Sequence, residues 1–307
     1  MNNYNYMTEN NDFNSKEEIK EIKEINESFI VGKLDKLMKK VSIARRVSDN
    51  QPLIAPNGFI TGVRRDKEAD KLIINSKIIK ANLRRISTFY TKESIMDLEK
   101  IYKEDFQEIL SDFIIDELAY KIDKDFIEMV NDRAENKGSV VFDSSYDTAM
   151  DSVALSIIMR VNRGLSDLPI SDNRSANGWA IVSSDIGALL SGIIVTSEDN
   201  KDYSPSYIGK IGGVDYYIDY THANTAENSV LFGIKGNGST RGSTIYSEYS
   251  KELIFSVNAD DLQENYVLID RTALSINPFD DEYLEKGEKS GFLGKLDVDL
   301  SALKIYQ

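Results

Sequence analysis

The longest regular pattern in the chain begins at Ser94, where apolar residues start to recur every three or four positions. Two overlapping stripes result, formed by Leu98, Tyr102, Phe106, Ile109 and Phe113, and by Leu110, Ile114, Leu118, Ile122, Phe126 and Val130. This spacing is typical of an amphipathic helix, and neither Pro nor Gly interrupts it before Gly138. About 40 helical residues would reach roughly 60 Å, which is long for a globular domain. The pattern therefore predicts a spine helix over residues 94–137.

The segment before this helix alternates between apolar and polar residues. Proline and glycine mark turns within residues 50–65, and the β-branched stretch KLIINSKIIK follows at 71–80. A period of two predicts a long two-stranded hairpin across residues 58–90. Because an isolated hairpin is marginal in water, we expect it to lie against another surface.

The N-terminal part of the chain is polar and then strongly charged. Residues 1–14 are rich in Asn and Tyr, which predicts a mobile tail. A helix is predicted to begin at Ser15, an N-cap residue followed by Glu at the third helical position. It should run to about Val47, with an interruption near Gly32.

The remainder of the chain mixes strand and helix patterns. We expect a strand at SVVF and then a helix that contains Met150 and stops at Gly164. A strand at 179–182 should lead into another helix, and a hairpin should follow over 207–220. Further strands are expected at SVLFGIKG, LIFSVN and YVLIDRTALSI. Beyond Pro278 the sequence is first acidic and then mixed in charge, and we expect a tail there. The predicted class is α+β: an arm, a hairpin, a spine helix, and then a mixed sheet with helices.

Composition excludes several classes of protein. The 307 residues contain no Cys and one His, which removes disulfide frameworks, thiolate zinc sites and multi-histidine metal centres. A net charge of −14 argues against a surface that wraps nucleic acid. The sequence contains no run of 18 apolar residues and no apolar core of a signal peptide near its start, so we expect neither a membrane span nor a secretory signal.

Few residues suit catalysis, and no cofactor is expected. The glycine-rich loop at 236–244 fits neither nucleotide-binding template, and we interpret it as a loop between strands. His222 lies in a polar stretch without a nucleophile elbow, and we interpret it as an exposed residue without a catalytic role. The carboxylate pair Asp116–Glu117 is expected on a solvated helix face, and Asp260–Asp261 is expected in a turn. We therefore predict a protein that is not an enzyme.

Charge is instead divided between two neighbouring segments. Residues 60–92 hold 9 Lys or Arg against 3 acids, whereas residues 93–135 hold 5 basic residues against 14 acids. A basic hairpin and an acidic helix are complementary, so we expect the hairpin to lie across the spine of a second copy. A head-to-tail contact of that kind closes into rings. The predicted interface residues are Arg64, Arg65, Lys67, Lys71, Lys77, Lys80, Arg84, Arg85, Glu104, Asp105, Glu108, Asp112, Asp116 and Glu117.

Several strings in this order resemble one family. Ala44-Arg-Arg-Val followed by QPLIAPNGFITGVRR (51–65) is similar to a string of the major capsid proteins of T-even-type, contractile-tailed bacteriophages. DELAYKIDKDFIE, NGWAIVSSDIGALLSG, IGGVDYYIDY and VLFGIKGNGSTRGSTIYSEY resemble the family's spine helix and later strands, and IDRTAL resembles its closing string more loosely. The resemblance covers about residues 44–278. It implies the Hong Kong 97 capsid fold.

The resemblance also implies a division of the chain. The expected parts are an N-terminal arm (1–50), an E-loop hairpin (51–93), a peripheral domain with the spine helix (94–146), an axial domain (147–250), and return strands of the peripheral domain with a C-terminal tail (251–307). Relatives commonly carry an insertion domain in the E-loop, for which there is no length here. Ile19-Lys-Glu, Ile22-Lys-Glu and Ile25-Asn-Glu fit the family's maturation protease, although we favour a simple amphipathic helix for this stretch.

The resemblance implies a virion head shell assembled in the host cytoplasm. Copies would form hexamers, with pentamers as an option, in an icosahedral or prolate head around double-stranded DNA that is bound without sequence specificity. Scaffold, portal, decoration and vertex proteins are the expected partners, and no membrane is involved. The alternatives are a pentameric vertex paralogue, a nanocompartment shell of the encapsulin type, a filament or tail-tube subunit, and a soluble hydrolase that uses His222.

Overall fold

The computed structural model describes most of the chain. The described residues are 34–66, 71–103, 105–141, 150–168, 177–193, 206–223, 228–236, 241–257, 263–281 and 290–300. The predicted N-terminal tail and the predicted helix start at Ser15 lie outside the described residues, as does the Asp260–Asp261 pair.

Helices and strands alternate along the described residues. The helices are α1 (34–41), α2 (Ile43–Val47), α3 (Lys92–Asp97), α4 (Phe106–Arg133), α5 (Met150–Ser166), α6 (Ser184–Ser191) and α7 (Pro278–Asp281), with a π-helical turn at Leu98–Tyr102. The strands β1 to β12 are Asp49–Asn50, Asn57–Asp66, Lys71–Lys80, Asn82–Thr91, Ala134–Val141, Asn177–Val182, Tyr207–Ile211, Val214–Ile218, Ser229–Lys235, Thr244–Val257, Gln263–Ile276 and Ser290–Asp299. The α+β class expected from the sequence is confirmed.

The chain divides into two compact units. One comprises residues 1–37, 85–115 and 251–269, and the other comprises residues 38–84, 116–250 and 270–307. In the first unit, the ring of Phe106 packs edge-on against Tyr90 at 4.8 Å between centroids. Tyr266 lies 5.8 Å from Phe106 and 5.0 Å from Phe255, so one aromatic cluster joins α4 to the adjoining strands.

The second unit is built on a six-stranded mixed sheet with the order β5-β12-β9-β6-β8-β7. Both α5 and α6 pack on one face, where Val153, Ile157 and Ile186 join the apolar side chains of β6, β8, β9 and β12. Trp179 of β6 is directed to the other face, where its ring lies 6.1 Å from Phe126 of α4. Because one strand alternates between two covered faces, its residues are buried on both sides.

Strand β12 corrects the expectation of a tail beyond Pro278. It lies inside the sheet, parallel to β5 and antiparallel to β9. Leu293, Leu296 and Val298 are buried there. Its sequence, SGFLGKLDVD, alternates only weakly because Gly and Lys interrupt the apolar positions.

The spine helix is shorter and less regular than the sequence indicates. Lys103 adopts a left-handed conformation (φ 58°) after the π-helical turn and so separates that turn from α4. At the other end α4 stops at Arg133, and β5 begins at Ala134. The 28-residue α4 replaces the predicted run of about 40 residues. Lysine carries no sequence signal for a left-handed break, which glycine would have given.

The predicted hairpin is confirmed over part of its length. Strands β2 and β3 pair antiparallel without a register shift and form the two-stranded sheet that we call the ribbon. Strand β4 was expected to belong to this hairpin but joins a four-stranded sheet with the order β1-β10-β11-β4. The alternating pattern of 82–91 fits any half-buried strand, so it could not identify the partner.

The N-terminal helical segment has a break that the sequence did not indicate, whereas the interruption expected near Gly32 lies outside the described residues. Among the described residues, the interruption is at Ser42, where α1 ends and α2 begins. Ser42 caps α2 by accepting from the backbone N–H of Arg45.

Gly164 does not end its helix, as the sequence had indicated, but lies within α5 against β9. A Cβ atom at this position would lie 2.5 Å from the ring of Phe232. Alanine normally favours a helix over glycine by about 1 kcal/mol, but here the close contact should outweigh that gain. We expect Gly164→Ala to lower the free energy of unfolding by about 1–2 kcal/mol in urea titrations.

Gly192 at the end of α6 provides the matched control for this substitution. The nearest atom to a Cβ there is the carbonyl oxygen of Leu189 at 3.6 Å, an ordinary contact. Gly192→Ala should therefore leave stability nearly unchanged. A Gly164→Ala protein as stable as the wild type would contradict the packing described here.

Candidate subunit interface

The ribbon has two chemically different sides, which follow from its register. Phe59 lies opposite Ile78, and Val63 lies opposite Ile74. Directly opposed residues share a side and successive pairs alternate, so these four residues occupy one side. Ile60 and Lys77 form one of the intervening pairs, on the other side.

Polar contacts fix the ribbon to its own unit. The amide of Gln51 donates to the carbonyl oxygen of Thr61 at 2.7 Å and accepts from the backbone N–H of Thr61 at 2.8 Å. The side-chain amide of Asn75 donates to the carbonyl oxygen of Pro278 at 3.1 Å. These contacts explain why Gln51, which opens the string singled out in the sequence, suits its position.

Apolar packing fixes the same side of the ribbon. Ile60 and Ile79 are buried with Leu53 and Ile245 in a small cluster. The Ile60 side of the ribbon therefore faces its own unit. The side that carries Phe59 and Ile78 is exposed.

The predicted basic residues are distributed unevenly. Arg64, Arg65 and Lys71 lie in the ribbon strands, and Lys67 lies outside the described residues. Lys80 is exposed at the base of the ribbon, and Arg85 is exposed on β4. Lys77 shares the side of Ile60 and is half-buried, and burial followed by the charge of Arg133 lowers its pKa.

Arg84 does not fit the surface role that the sequence predicted for it. Its side chain is 7% exposed. The guanidinium donates from Nε to Asp125 at 3.1 Å and from Nη1 to the hydroxyl of Thr272 at 2.6 Å, and Asp270 lies 3.9 Å away. Counting charges along a strand does not separate inward from outward side chains, which explains the misassignment. Arg84 ties β4 to α4 and β11 inside one unit.

The predicted acidic residues lie mostly at the surface. Asp105, Glu108, Asp112 and Asp116 are all exposed and follow one another at spacings of three and four; we call them the acidic row. Glu117 is half-buried and pairs with Lys121 at 3.1 Å, and Glu104 lies outside the described residues. The acidic row therefore concentrates negative charge on this part of the surface.

Asp123, on α4, is a buried residue that the sequence did not single out. Its carboxylate accepts from the backbone N–H groups of Ile43 and Ala44 at 2.8 and 2.9 Å. It also accepts from the hydroxyls of Ser42 at 2.7 Å and Tyr220 at 2.8 Å. Asp123 thus holds the start of α2 against α4. Burial raises its pKa to about 6, against the opposing effect of these hydrogen bonds.

Asp49 plays a comparable part at the glycine-rich loop. Its carboxylate accepts from the backbone N–H groups of Gly236, Arg241 and Gly242 at 2.9, 2.9 and 2.6 Å. Burial raises the pKa of Asp49, and the three hydrogen bonds oppose that rise. The described ends of this loop therefore bind a carboxylate of the same chain, in keeping with its interpretation as a connection between β9 and β10.

The residues considered for catalysis do not form a site in the described part of the chain. His222 is exposed with φ 56°. Among the residues that the structure describes, no group of three or more His, Asp or Glu residues could hold a metal ion. No helix within these ranges combines the length and apolarity needed to cross a membrane.

The fold is shared with solved structures of low sequence identity. A virus-like particle from Pyrococcus furiosus matches with a TM-score of 0.53 and 12% identity, covering 89% of this chain and 98% of the other. A structure from Mycobacterium phage Bobi matches with a TM-score of 0.52 and 10% identity, covering 85% of this chain and 91% of the other. A structure from Microbacterium phage Oxtober96 matches with a TM-score of 0.50 and 11% identity, covering 84% of this chain and 91% of the other. The chain has the Hong Kong 97 capsid fold that the resemblance implied.

Family membership rests on the sequence itself. No curated protein matches the chain. Residues 64–298, well over half of the chain, match the family described as Major capsid protein Gp23. The matched range contains most of the ribbon, all of α4 and all of the six-stranded sheet except Asp299. The chain therefore belongs to the Gp23 family of major capsid proteins and is a self-assembling shell subunit of a tailed bacteriophage head.

Proposed function

We propose that this chain builds the head of a T-even-type, contractile-tailed bacteriophage by forming hexamers. The match to the Gp23 family over residues 64–298 is the observation that carries this proposal. Pentamers of the same chain or of a paralogue would close the vertices of an icosahedral or prolate head. The division into arm, E-loop, peripheral domain and axial domain is part of the proposal.

The shell would enclose double-stranded DNA without reading its sequence. A net charge of −14 suits a container, because a wall that bound phosphates tightly would oppose both packing and release. Scaffold, portal, and decoration or vertex proteins would be its partners during assembly in the host cytoplasm.

Neighbouring copies would meet where the ribbon of one lies on the acidic row of the next. The exposed positions of Glu108, Asp112 and Asp116 on one helix support this arrangement, because an acidic surface is complementary to a basic one. Arg64, Arg65, Lys67, Lys71 and Lys80 would supply that partner. Lys77 is left out because it shares the side of Ile60, which faces its own unit, and Arg84 is left out because its guanidinium binds within that unit.

Size-exclusion chromatography and negative-stain imaging of the expressed chain test the proposal. We expect capsomers and large closed heads. Small cargo-filled spheres would indicate a nanocompartment, pentamers alone a vertex protein, and open rods a filament or tube subunit. A monomer at every concentration would contradict the proposal as a whole.

His222→Ala separates a shell protein from a hydrolase. The side chain is exposed and lies outside the ribbon and the acidic row, so we expect the same yield of assembled particles as for the wild type. Particle yield by sedimentation is the measurement. A variant that still assembled but lost a hydrolytic activity present in the wild type would favour the enzymatic alternative.

A further inference from the structure

Helix α5 carries two large apolar side chains on the face that is turned away from the six-stranded sheet. Val153, Ile157 and Val161 are buried on the sheet side of the helix. Leu155 is 49% exposed, and Met159 is 69% exposed. Residues four positions apart are neighbours on one face of a helix, so these two side chains lie next to each other. A partner that covered both would remove adjacent apolar surface from water, which is favourable.

The polar side chains beside this pair are hydrogen-bonded within the subunit. The hydroxyl of Ser156 donates to the carbonyl oxygen of Ser152 at 2.8 Å. The guanidinium of Arg160 donates to the carbonyl oxygen of Ser139 at 2.9 Å. Covering the outer face of α5 therefore does not require these bonds to be broken, and a buried group without a hydrogen bond is what makes such contacts costly.

Opposite charges lie at the two ends of the same row of side chains. Asp151 lies one turn before Leu155, Arg163 lies one turn after Met159, and both charged residues are exposed. The two charged residues each lie six positions from Ile157, and the two apolar residues each lie two positions from it. Reversal of the row therefore places an acid opposite a base and an apolar residue opposite an apolar residue. The outer row of α5 is complementary to an antiparallel copy of itself.

Helix packing geometry allows such rows to meet. Residues at four-residue spacing form the ridges by which helices most often interdigitate, at an interaxial angle of about −50°, and the two ridges then run side by side. In an antiparallel pair centred at Ile157, Leu155 of each copy lies beside Met159 of the other, and Asp151 lies beside Arg163. Parallel rows in register would instead bring like charges together.

We propose that two free subunits associate through α5, antiparallel about a two-fold axis beside Ile157. A second copy is the partner because the row is complementary to itself in charge and in apolar positions. The inference goes beyond the proposed hexamer, since neighbours in a six-membered ring are not related by a two-fold axis. The contact therefore belongs to subunits outside a ring. A row of four side chains is far smaller than the roughly 20–30 residues a side of a stable interface, so the dimer is weak and reversible.

Disulfide trapping tests the register, because the chain contains no Cys. The unassembled fractions of Leu155→Cys and Met159→Cys, separated from particles by sedimentation, are mixed in equal amounts and oxidised with copper phenanthroline. We expect at least threefold more covalent dimer on denaturing gels from the mixture than from either variant alone.

Lys124→Cys mixed with Glu128→Cys is the matched control, since both residues are exposed and lie one turn apart on α4. Mixing these two variants should give no gain. An equal gain in this control, or no gain from mixing the two α5 variants, would overturn the proposed register.

Charge reversal tests the ends of the row. In a chain that carries both Leu155→Cys and Met159→Cys, adding Arg163→Asp places two acids opposite each other, and we expect at least threefold less covalent dimer. Adding Asp151→Arg as well restores opposite charges and should restore the yield. A yield that Arg163→Asp leaves unchanged would overturn the pairing of Asp151 with Arg163.

The size of the trapped species tests the symmetry. A two-fold contact uses the same surface on both copies, so the variant with both Cys substitutions should stop at dimers. A ladder of larger oligomers would indicate a head-to-tail contact and overturn the two-fold pair. Wild-type particles together with an absence of trapped α5 dimers would overturn this inference alone, whereas α5 dimers without particles would overturn the proposed function alone.

Discussion

Replacing Arg64 and Arg65 by Glu should lower the assembled fraction at least tenfold while leaving the monomer folded. The change reverses two charges in β2, on the ribbon that we propose to meet the acidic row of a neighbour. Like charges placed opposite each other at an interface cost several kcal/mol. Sedimentation velocity would measure assembly, and circular dichroism would verify the monomer.

A reciprocal change tests whether charge pairing causes the loss. Asp112→Lys with Asp116→Lys should impair assembly by itself and should restore it when combined with the two Glu substitutions. Lys36→Glu with Arg163→Glu is the control, because it changes net charge equally at exposed positions outside the ribbon. Normal shells from the variant with Glu at both positions 64 and 65 would exclude the basic ribbon as an ionic interface element.

The largest loss of monomer stability is expected from Asp123→Ala. The substitution leaves two backbone N–H groups and two hydroxyls without their acceptor in a fully buried site. Each unsatisfied buried donor costs about 1–3 kcal/mol, so we expect a loss of at least about 3 kcal/mol. Urea unfolding would measure it, with the exposed Asp112→Ala on the same helix as a nearly neutral control. Equal stability of the two variants would contradict the role of Asp123.

The pH dependence of stability gives a second measurement at this residue. The pKa of Asp123 is about 6 in the folded chain and 3.8 for a free side chain. Between pH 3.8 and about pH 6, Asp123 is therefore protonated in the folded state and ionised in the unfolded state. The contribution of Asp123 to stability therefore falls as pH rises from about 4 to 6, by about 3 kcal/mol. The stability of the Asp123→Asn variant should not show this fall between pH 4 and 6, because Asn does not titrate. Parallel pH profiles of wild type and variant would contradict the assigned pKa.

Elements with a clear period could be predicted, whereas their ends and partners could not. The stripes of α4 and the strand at Trp179 follow from burial on one or two faces, and the structure confirms both. The break at Lys103 and the start of β5 after Arg133 depend on long-range packing that no local residue signals. Strand β12 escaped prediction because Gly and Lys weaken its alternation.

The candidate interface shows the same division between local pattern and tertiary placement. Counting charges along the chain could not tell that Arg84 turns inward. It also could not tell which side of the ribbon would stay exposed, since both sides carry apolar residues. Only the packing of Ile60 and Ile79 selects the side. Buried acceptors such as Asp123 and Asp49 look like ordinary acids in a charged sequence.

The position of β12 has a consequence for biosynthesis. This strand pairs with β5 on one side and β9 on the other, so the sheet has a gap until residues 290–299 have left the ribosome. A nascent chain therefore cannot complete the sheet before β12 has been synthesised. In a protein needed in many copies, this order of events delays the finished subunit, and with it polymerisation, until synthesis of β12 is over.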